Sequence, residues 1–308
     1  MSDINPIAKN LLRMVSDLDG AFTGAYNIRQ DGECAGRQSS PNIRLESKAD
    51  GPGLVIQVLP GARGETVYIP ACVTHSKVND LVYNDFFIGE GADVTIVAGC
   101  GVHADGEEDA RHNGIHRFFV GRGAHVLYKE KHVGTGNGAG ARRIDPVTDI
   151  TLAEDAFLEM DTVQLGGVDT TMRKTTASLA ARARLIVRER LLTEGGQQAE
   201  SDFTVTLTGE DSGVDLISRS VAKGRSRQVF RSNLRGLARC AGHSECDAIL
   251  ADEGSVLALP GLEAEHLDAA LIHEAAIGKI AGEQLLKLRT LGLTEQEAEE
   301  RIVAGFLK

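Results

Sequence analysis

The middle of the chain alternates between polar and apolar residues with a period of two. Residues 93–97, 125–128 and 202–207 are examples of such runs. Because successive side chains of a β-strand point to opposite faces, this alternation predicts half-buried strands. Glycine-rich segments separate the runs and predict tight turns.

A weak repeat of about thirty residues accompanies these strands. Five segments share a turn-like pair, a small residue and then a β-branched residue or leucine: 89–94, 121–126, 153–158, 180–185 and 209–214. Stacked coils of a β-helix or a β-sandwich of hairpins could both produce this pattern. The Gly-x-Gly-Ala-x-Val turns place small residues where coils would stack, so they favour the β-helix.

The two ends of the chain differ from the middle. Residues 4–18 predict one amphipathic helix. Residues 282–291 have helical apolar spacing and stop at Gly292, which suits a helix C-terminus. Thr294 and Glu297 then form a capping box ahead of a second apolar stripe. We therefore expect a small helical domain at the end of a mainly β chain.

This pattern divides the chain into three parts: 1–40, an N-terminal segment with one short helix; 41–262, the β core; and 263–308, the C-terminal helical domain. The composition of 35 glycines, four tyrosines and no tryptophan fits many short strands joined by turns. The same scarcity of aromatic rings speaks against a β-helical enzyme acting on polysaccharides, which would use them as sugar platforms.

The net charge of −11 speaks against partners that are bound through basic surfaces. Nucleic acids and anionic membranes both need Lys and Arg contacts. No apolar run approaches the roughly 20 residues of a membrane span, and no secretory signal precedes the strands. We therefore expect a cytoplasmic protein. Five cysteines, an odd number, then predict free thiols or ligands rather than disulfides.

The last quarter concentrates side chains that bind soft metals. Cys240, His243 and Cys246 are closely spaced, and His273 and Glu274 follow. Thiolate and imidazole suit zinc or iron–sulfur chemistry. A closed zinc site needs a second ligand pair, which this region lacks, so an open or intersubunit site is the functional interpretation. The alternative is that the cysteines are buried packing residues, which is common for free Cys.

For Cys246 we favour the functional interpretation, because its acidic neighbours indicate a polar loop. For Cys240 both interpretations stay open. Cys100, placed between glycines, is a candidate reactive thiol. Five of the nine histidines lie between positions 103 and 132, which leaves an incidental metal site open there. The glycine-rich segment 134–140 lacks the Gly-Lys-Ser/Thr ending of a phosphate loop, so any energy input must come from a partner.

The C-terminal segments resemble the signature of the SufB/SufD proteins, the scaffold subunits of the SUF iron–sulfur assembly system. The resemblance lies in residues 244–250, Pro260, 273–280, 283–285, 291–298 and 302–306. It extends upstream through 217–226 and more loosely to the region around Cys100.

The resemblance implies a right-handed parallel β-helix followed by a helical domain, 263–308, on which an ABC-type ATPase similar to SufC docks. It also implies pairing through the β-helices, as a homodimer or with a SufB/SufD paralogue, and sulfur supplied by a cysteine desulfurase system. The pair would assemble a transient iron–sulfur cluster of unknown type and would not itself be an enzyme. The alternative is a structural adaptor or activator of the ATPase without a bound cluster.

The resemblance also assigns residues. Cys246 matches the cysteine that holds the cluster, and His273 and Glu274 match the histidine and carboxylate of the following motif. Cys100 lies near the cysteine that accepts sulfur, and Cys240 and His243 would be additional ligands. The chain is shorter than typical SufB proteins, so we expect a compact SufB-like scaffold.

Overall fold

The computed structural model describes residues 4–16 and 22–308, and strands make up most of these ranges. The helices are α1 (Pro6–Ser16), α2 (Gly282–Thr290) and α3 (Glu295–Phe306). The strands are β1 (Ala25–Gln30), β2 (Glu33–Gln38), β3 (Ile43–Ser47), β4 (Gly53–Val58), β5 (Arg63–Val73), β6 (Asn79–Ile88), β7 (Asp93–His103), β8 (Ala110–Val120), β9 (His125–Thr135), β10 (Arg142–Ile144), β11 (Val147–Leu152), β12 (Phe157–Leu165), β13 (Thr170–Leu179), β14 (Arg184–Thr193), β15 (Gln198–Leu207), β16 (Ser212–Ala222), β17 (Arg227–Gly236), β18 (Cys240–Leu250), β19 (Ser255–Ala264) and β20 (Ala269–Gly278).

The strands alternate between two sheets and so form a β-solenoid of about eight turns. Sheet A has the order β2-β1-β5-β7-β9-β12-β14-β16-β18-β20. Sheet B has the order β19-β17-β15-β13-β10-β8-β6-β4-β3, with β11 also lying between β13 and β8. All pairs are parallel except β1 with β2 and β3 with β4. The predicted mainly β solenoid is confirmed, and parallel pairing excludes a sandwich of hairpins.

The five repeats seen in the sequence are the corners between sheet B and sheet A. Each corner contains one residue in the left-handed backbone region: Gly91, Gly123, Asp155, Arg182 and Asp211. Glycine adopts this region without steric cost, and Asp tolerates it better than most residues do. The N–H of each of these residues donates to a carbonyl in the next corner, for example Gly91 to Arg122 at 2.9 Å. The sequence repeat therefore arises because each corner needs the same turn and the same hydrogen bond to the next coil.

The interior of the solenoid has an apolar half and a polar half. Near the corners, inward side chains are aliphatic or aromatic, and Phe86 stacks on Phe118 with ring centroids 4.4 Å apart. Further along the same strands the inward side chains become polar. Glu130, Arg173 and Glu189 are all buried there. Buried charges are tolerated only when they are paired, so this half depends on internal ion pairs.

The N-terminal part contains more than the predicted helix. Helix α1 covers Pro6–Ser16, while positions 17 and 18 of the prediction lie outside the described residues. The helix lies against β7, where a Cβ on Gly99 would meet Val15 and one on Gly101 would meet Leu11 at 2.8 Å. Strands β1 and β2 follow and begin sheet A. The described residues of segment 1–40 thus form the first part of sheet A as well as a helix.

The C-terminal helices have the expected ends. Thr294 and Glu297 form the capping box of α3, and Gly292 lies at φ +97° after α2. Val303 of α3 packs against Val221 on the solenoid. The boundary at 263 is wrong, however, because β20 pairs with β18 as far as Gly278. The alternating residues of β20 complete one more coil before the helices begin.

No helix in the described ranges is both long and apolar enough to span a bilayer.

Candidate functional site

Strand β18 divides the predicted ligands between two faces. Cys240 and Cys246 point into the solenoid, whereas His243 lies on the outer face. The two cysteines are separated by six residues of strand, which is about 20 Å. One ion cannot bind all three side chains, so the expectation of three closely spaced soft ligands is wrong. The spacing appeared compact only because the sequence indicated a loop, whereas the segment is an extended strand.

Cys246 lies in the interior, with none of its surface exposed. Glu189, Ser218, Cys246 and Ala275 are register partners on four successive strands of sheet A. Ser218 donates a hydrogen bond to Glu189 at 2.8 Å. Burial, and then the negative charge of Glu189, raises the pKa of the Cys246 thiol to about 12. The thiol is therefore protonated at neutral pH unless a metal displaces its proton.

His273 reaches the same interior space from the last coil. It lies in the middle of β20, opposite Ser244 of β18, and is partly buried. Its Nδ1 is 3.4 Å from Ser244 Oγ, which donates to Ser232 Oγ at 2.7 Å. Cys246 is one strand away and two residues further along, so the two Cα atoms are about 8 Å apart. Of the predicted ligands, Cys246 and His273 share an interior neighbourhood.

Glu274 belongs to a different group. It lies on the outer face of β20, opposite Glu245 of β18. Glu274 Oε2 is 3.5 Å from His243 Nε2. One ligand atom from each of His243, Glu245 and Glu274 can be chosen so that all three lie within 4.8 Å of one another. The predicted set Cys246, His273 and Glu274 is thus divided between the inside and the outside of the solenoid.

The interior pair lies at an uncapped end of the solenoid. Within the described ranges, β20 pairs only with β18 and β19 pairs only with β17. The inward apolar residues of this last coil are only partly buried: Val256, Ala258, Ala269 and Leu271. Outward apolar residues are exposed as well, including Ile272 at 55%. Two free strand edges over an unfinished core form a template for pairing with another chain.

Cys100 is far from this end. It is buried in β7, five strand spacings from β18, which is about 24 Å. Burial, and then Glu130, raises the pKa of its thiol well above the ordinary value. Cys72 lies beneath α1, and Cys34 is the exposed cysteine. The structure therefore does not bring Cys100 and Cys246 together.

The buried ion-pair network is the feature that sequence reasoning missed. Arg173 Nη2 lies 2.8 Å from Glu130 Oε2, and Arg173 Nε lies 3.6 Å from Glu189 Oε1. Burial opposes ionisation of Glu130, but Arg173 and then His132 hold its pKa well below the ordinary value. The sequence did contain a signal for this network: Glu130 is an even number of residues from the inward Val126 on the same strand, so it must also point inward. The network extends the polar half of the interior toward Ser218 and Cys246.

Three histidines of the histidine-rich region, His112, His116 and His132, are buried in the same interior, whereas His125 is exposed. His112 Nδ1 lies 3.0 Å from Asp80 Oδ2, and His116 Nδ1 lies 2.9 Å from Tyr128 Oη. Burial lowers the pKa of His116 to about 4, so its ring is neutral at pH 7. In the part of the chain that the structure describes, these histidines form no group of three metal ligands.

Comparison with known proteins agrees with this architecture. Residues 81–306 match the family model described as the SufBD core domain of the SUF system for FeS cluster assembly. An iron–sulfur cluster assembly SufBD family protein of Methanothermobacter thermautotrophicus is 31% identical over 271 residues, covering 85% of this chain and 64% of that protein. One of Archaeoglobus fulgidus is 31% identical over 268 residues, covering 86% and 70%.

The chain thus spans less than two thirds of the length of the Methanothermobacter relative. The match nevertheless extends over most of the solenoid and both C-terminal helices, including the strands that carry Cys246 and His273. The chain belongs to the SufBD family of iron–sulfur cluster assembly proteins.

Proposed function

We propose that this protein is a scaffold on which an iron–sulfur cluster is assembled at the uncapped end of the solenoid. Cys246 and His273 would bind the nascent cluster, and a second copy or a SufBD paralogue would complete the site. The observation that carries the proposal is the convergence of these two side chains, on adjacent strands, beneath free sheet edges.

The free edges support a shared site. A second solenoid placed end to end would pair the edges of β19 and β20 and cover the partly buried apolar residues. A two-fold interface of this kind brings the same residues of both chains to one seam. Small shifts between the two chains would then change the ligand geometry and allow a cluster to leave.

The ligand chemistry supports a temporary cluster. A thiolate and an imidazole suit iron bound to sulfide. Within one chain, Cys246 and His273 supply two such ligands to the shared interior space, which is fewer than the four that a stable cluster uses. The raised pKa of the Cys246 thiol also favours release, because the apo protein regains a proton.

The complete burial of Cys246 favours a second candidate function. In that case Cys246 is a packing residue and the protein is a structural adaptor or activator of a partner ATPase, without a bound cluster. Free cysteines in protein interiors often have no chemical role.

Anaerobic reconstitution with ferrous iron and sulfide distinguishes the two functions. For the scaffold we expect charge-transfer absorbance that is lost in Cys246→Ala and reduced in His273→Ala. Cys240→Ala is the matched control, because Cys240 is buried in the same strand about 20 Å away. Equal spectra in the Cys246 and Cys240 variants would reject the scaffold and favour the adaptor.

The energy for cluster release would come from an ABC-type ATPase docked on the C-terminal helices. None of the side chains of α2 is buried, and Leu286 is 60% exposed within it. We expect Leu286→Asp to abolish co-purification with a SufC-like ATPase, while Gln284→Asp on the same helix does not. Reconstitution of the isolated Leu286 variant should be unchanged. Retained co-purification would show that the ATPase docks elsewhere.

Sulfur delivery is the least direct part of the proposal. A cysteine desulfurase system would supply it, and Cys100 is the predicted acceptor. Since Cys100 is buried, an acceptor role would require β7 to become accessible. A desulfurase that carries a persulfide would transfer its outer sulfur to the Cys100 thiolate and be left with a free thiol. Peptide mapping after incubation with the persulfide-bearing desulfurase should show persulfide on Cys100 but not on Cys72. Persulfide on exposed Cys34 instead would remove Cys100 from the pathway.

A further inference from the structure

We propose that His243, Glu245 and Glu274 form a second metal site, on the outer face of sheet A, that binds one divalent first-row cation such as ferrous iron. This site is separate from the interior space that contains Cys246 and His273. Metal binding by the three residues stands independently of the scaffold function. The identification of the cation as iron for cluster assembly rests on the proposed function.

The backbone register brings the three ligands together. Glu245 and Glu274 are direct partners on β18 and β20, and both point outward. His243 lies two residues before Glu245 and therefore on the same face. His243 Nε2 and Glu274 Oε2 are 3.5 Å apart, and the three ligand atoms lie within 4.8 Å of one another.

These separations suit a single ion. Metal bonds of about 2.1 Å place neighbouring ligand atoms roughly 3 to 4 Å apart. The side chain of Glu274 is 67% exposed and can rotate, so small side-chain movements can close the remaining distance. Three ligands on one face leave the remaining positions of the ion open to water. Non-haem ferrous iron is typically held by imidazole and carboxylate together, most often two histidines and one carboxylate, and this site offers the same donor types as one histidine and two carboxylates.

The charges also favour a cation. Glu245 and Glu274 are like charges directly opposite each other on neighbouring strands, an arrangement that destabilises a sheet when nothing offsets it. Two further carboxylates lie close by: Asp247, which is hydrogen-bonded to Glu245, and Asp215, whose Oδ1 is 3.7 Å from His243 Nδ1. Arg219 is the one cationic side chain that acts on Glu245 among its main electrostatic neighbours in the described ranges. A divalent ion would offset the two glutamate charges, and Asp215, at ion-pair distance from Nδ1, would favour the ring orientation that turns Nε2 toward the ion.

The two sites differ in chemistry although they adjoin in sequence. Glu245 and Cys246 are consecutive residues that point to opposite faces of the sheet. The outer site offers oxygen and nitrogen, whereas the inner one offers sulfur and nitrogen. A hydrated ferrous ion suits the former, and iron bonded to sulfide suits the latter. The outer site would therefore keep iron beside the assembly site without consuming the thiol.

Titration of the whole protein with Mn²⁺, followed by electron paramagnetic resonance of the free ion, tests the site directly. We expect one Mn²⁺ ion to bind per chain. Ferrous iron should displace this Mn²⁺ under anaerobic conditions. The double variant Glu245→Gln/Glu274→Gln should weaken Mn²⁺ binding at least ten-fold, as should His243→Ala. Circular dichroism and thermal unfolding would confirm that each variant is folded.

Two controls make the result decisive. Glu253→Gln/Asp268→Asn removes two carboxylates from the same end of the solenoid without touching the three ligands, and Cys246→Ser removes the thiol. Both should bind Mn²⁺ as the unaltered protein does. Equal weakening by the first control would show unspecific attraction to an acidic surface and overturn the proposal. Loss of binding in the second would assign the metal to the thiol site and overturn it as well.

The outcomes also separate this inference from the scaffold function. If Mn²⁺ binding depends on the three ligands but iron and sulfide never give Cys246-dependent absorbance, the cation site stands and the scaffold function falls. If the absorbance appears while Mn²⁺ binds nowhere, the scaffold stands and the second site is rejected.

Discussion

The Cys246 thiol should alkylate with the pH dependence of a deeply buried group. Burial is the main cause of its raised pKa, and the charge of Glu189 is the next. Only the thiolate reacts with an alkylating agent, so the rate follows the fraction that is ionised. We therefore expect the alkylation rate of Cys246 to keep rising with pH well past the range in which an ordinary thiol stops.

The size of the pKa shift determines how much Cys246 thiolate is lost. The pKa rises from an ordinary 9.0 to about 12. Three pKa units correspond to roughly a thousand-fold less thiolate at pH 8, or about 4 kcal/mol. An iron centre that binds through this sulfur must supply that free energy in addition to what an exposed cysteine would require. The same penalty makes the empty site return readily to the protonated thiol.

Iodoacetamide labelling with peptide mapping by mass spectrometry measures this behaviour between pH 7 and pH 10.5. The Cys246 rate should rise about ten-fold per pH unit throughout that window. Glu189→Gln should raise the rate at every pH, because a negative charge beside the thiol is removed. Asp215→Asn, which removes a carboxylate from the outer face, should leave the rate unchanged.

The shape of the profile decides the matter, because steric exclusion slows the reaction equally at every pH. A plateau near pH 9 would show that Cys246 is solvated in solution. The interior position would then not describe the apo protein, and the argument about its ionisation would be refuted.

Three further predictions concern the elements that support the site. Thr294→Ala removes the capping box of α3 and should cost about 1 kcal/mol of helix stability, seen as faster amide exchange there. Gly101→Leu places a side chain where Leu11 packs and should release α1, detected by limited proteolysis. Arg173→Met leaves two buried glutamates without their cation and should lower the free energy of unfolding in urea by about 3 to 5 kcal/mol.

Each of these predictions has a matched control. Thr290→Ala lies at the end of α2, outside the capping box, and should not change exchange in α3. Gly196→Ala adds a Cβ with nothing within 4 Å, so α1 should stay protected from protease. Arg235→Met removes an exposed ion pair and should change stability by less than about 1 kcal/mol. A control that matched its test variant would contradict the corresponding argument.

The corners and the helix ends could be predicted because local residues determine them. A left-handed turn position such as Gly91 or Asp155 depends on one or two residues. The capping box likewise needs only Thr294 and its partner three residues on. Such features do not depend on which strands become neighbours, so the turns and the capping box could be predicted from the sequence.

The site was harder to predict because it depends on strand register. The acidic neighbours of Cys246 suggested a loop, yet they are the outward residues of a strand. Once β18 is known to be an extended strand, the even-numbered Cys240 and Cys246 must face one side of the sheet and the odd-numbered His243 the other. It is the pairing of β18 with β20 that brings Cys246 close to His273 and Glu245 close to Glu274. No local pattern contains that information.

The regular alternation of β18 has a consequence for how the protein can vary. A single-residue deletion between Cys240 and Cys246 would turn every following side chain to the opposite face. The thiol would then meet bulk solvent, and the carboxylates beside it would be forced into the core. The alternation of inward and outward positions along this strand is therefore as important to the chemistry as residue identity. Only insertions or deletions of an even number of residues preserve which face each side chain occupies.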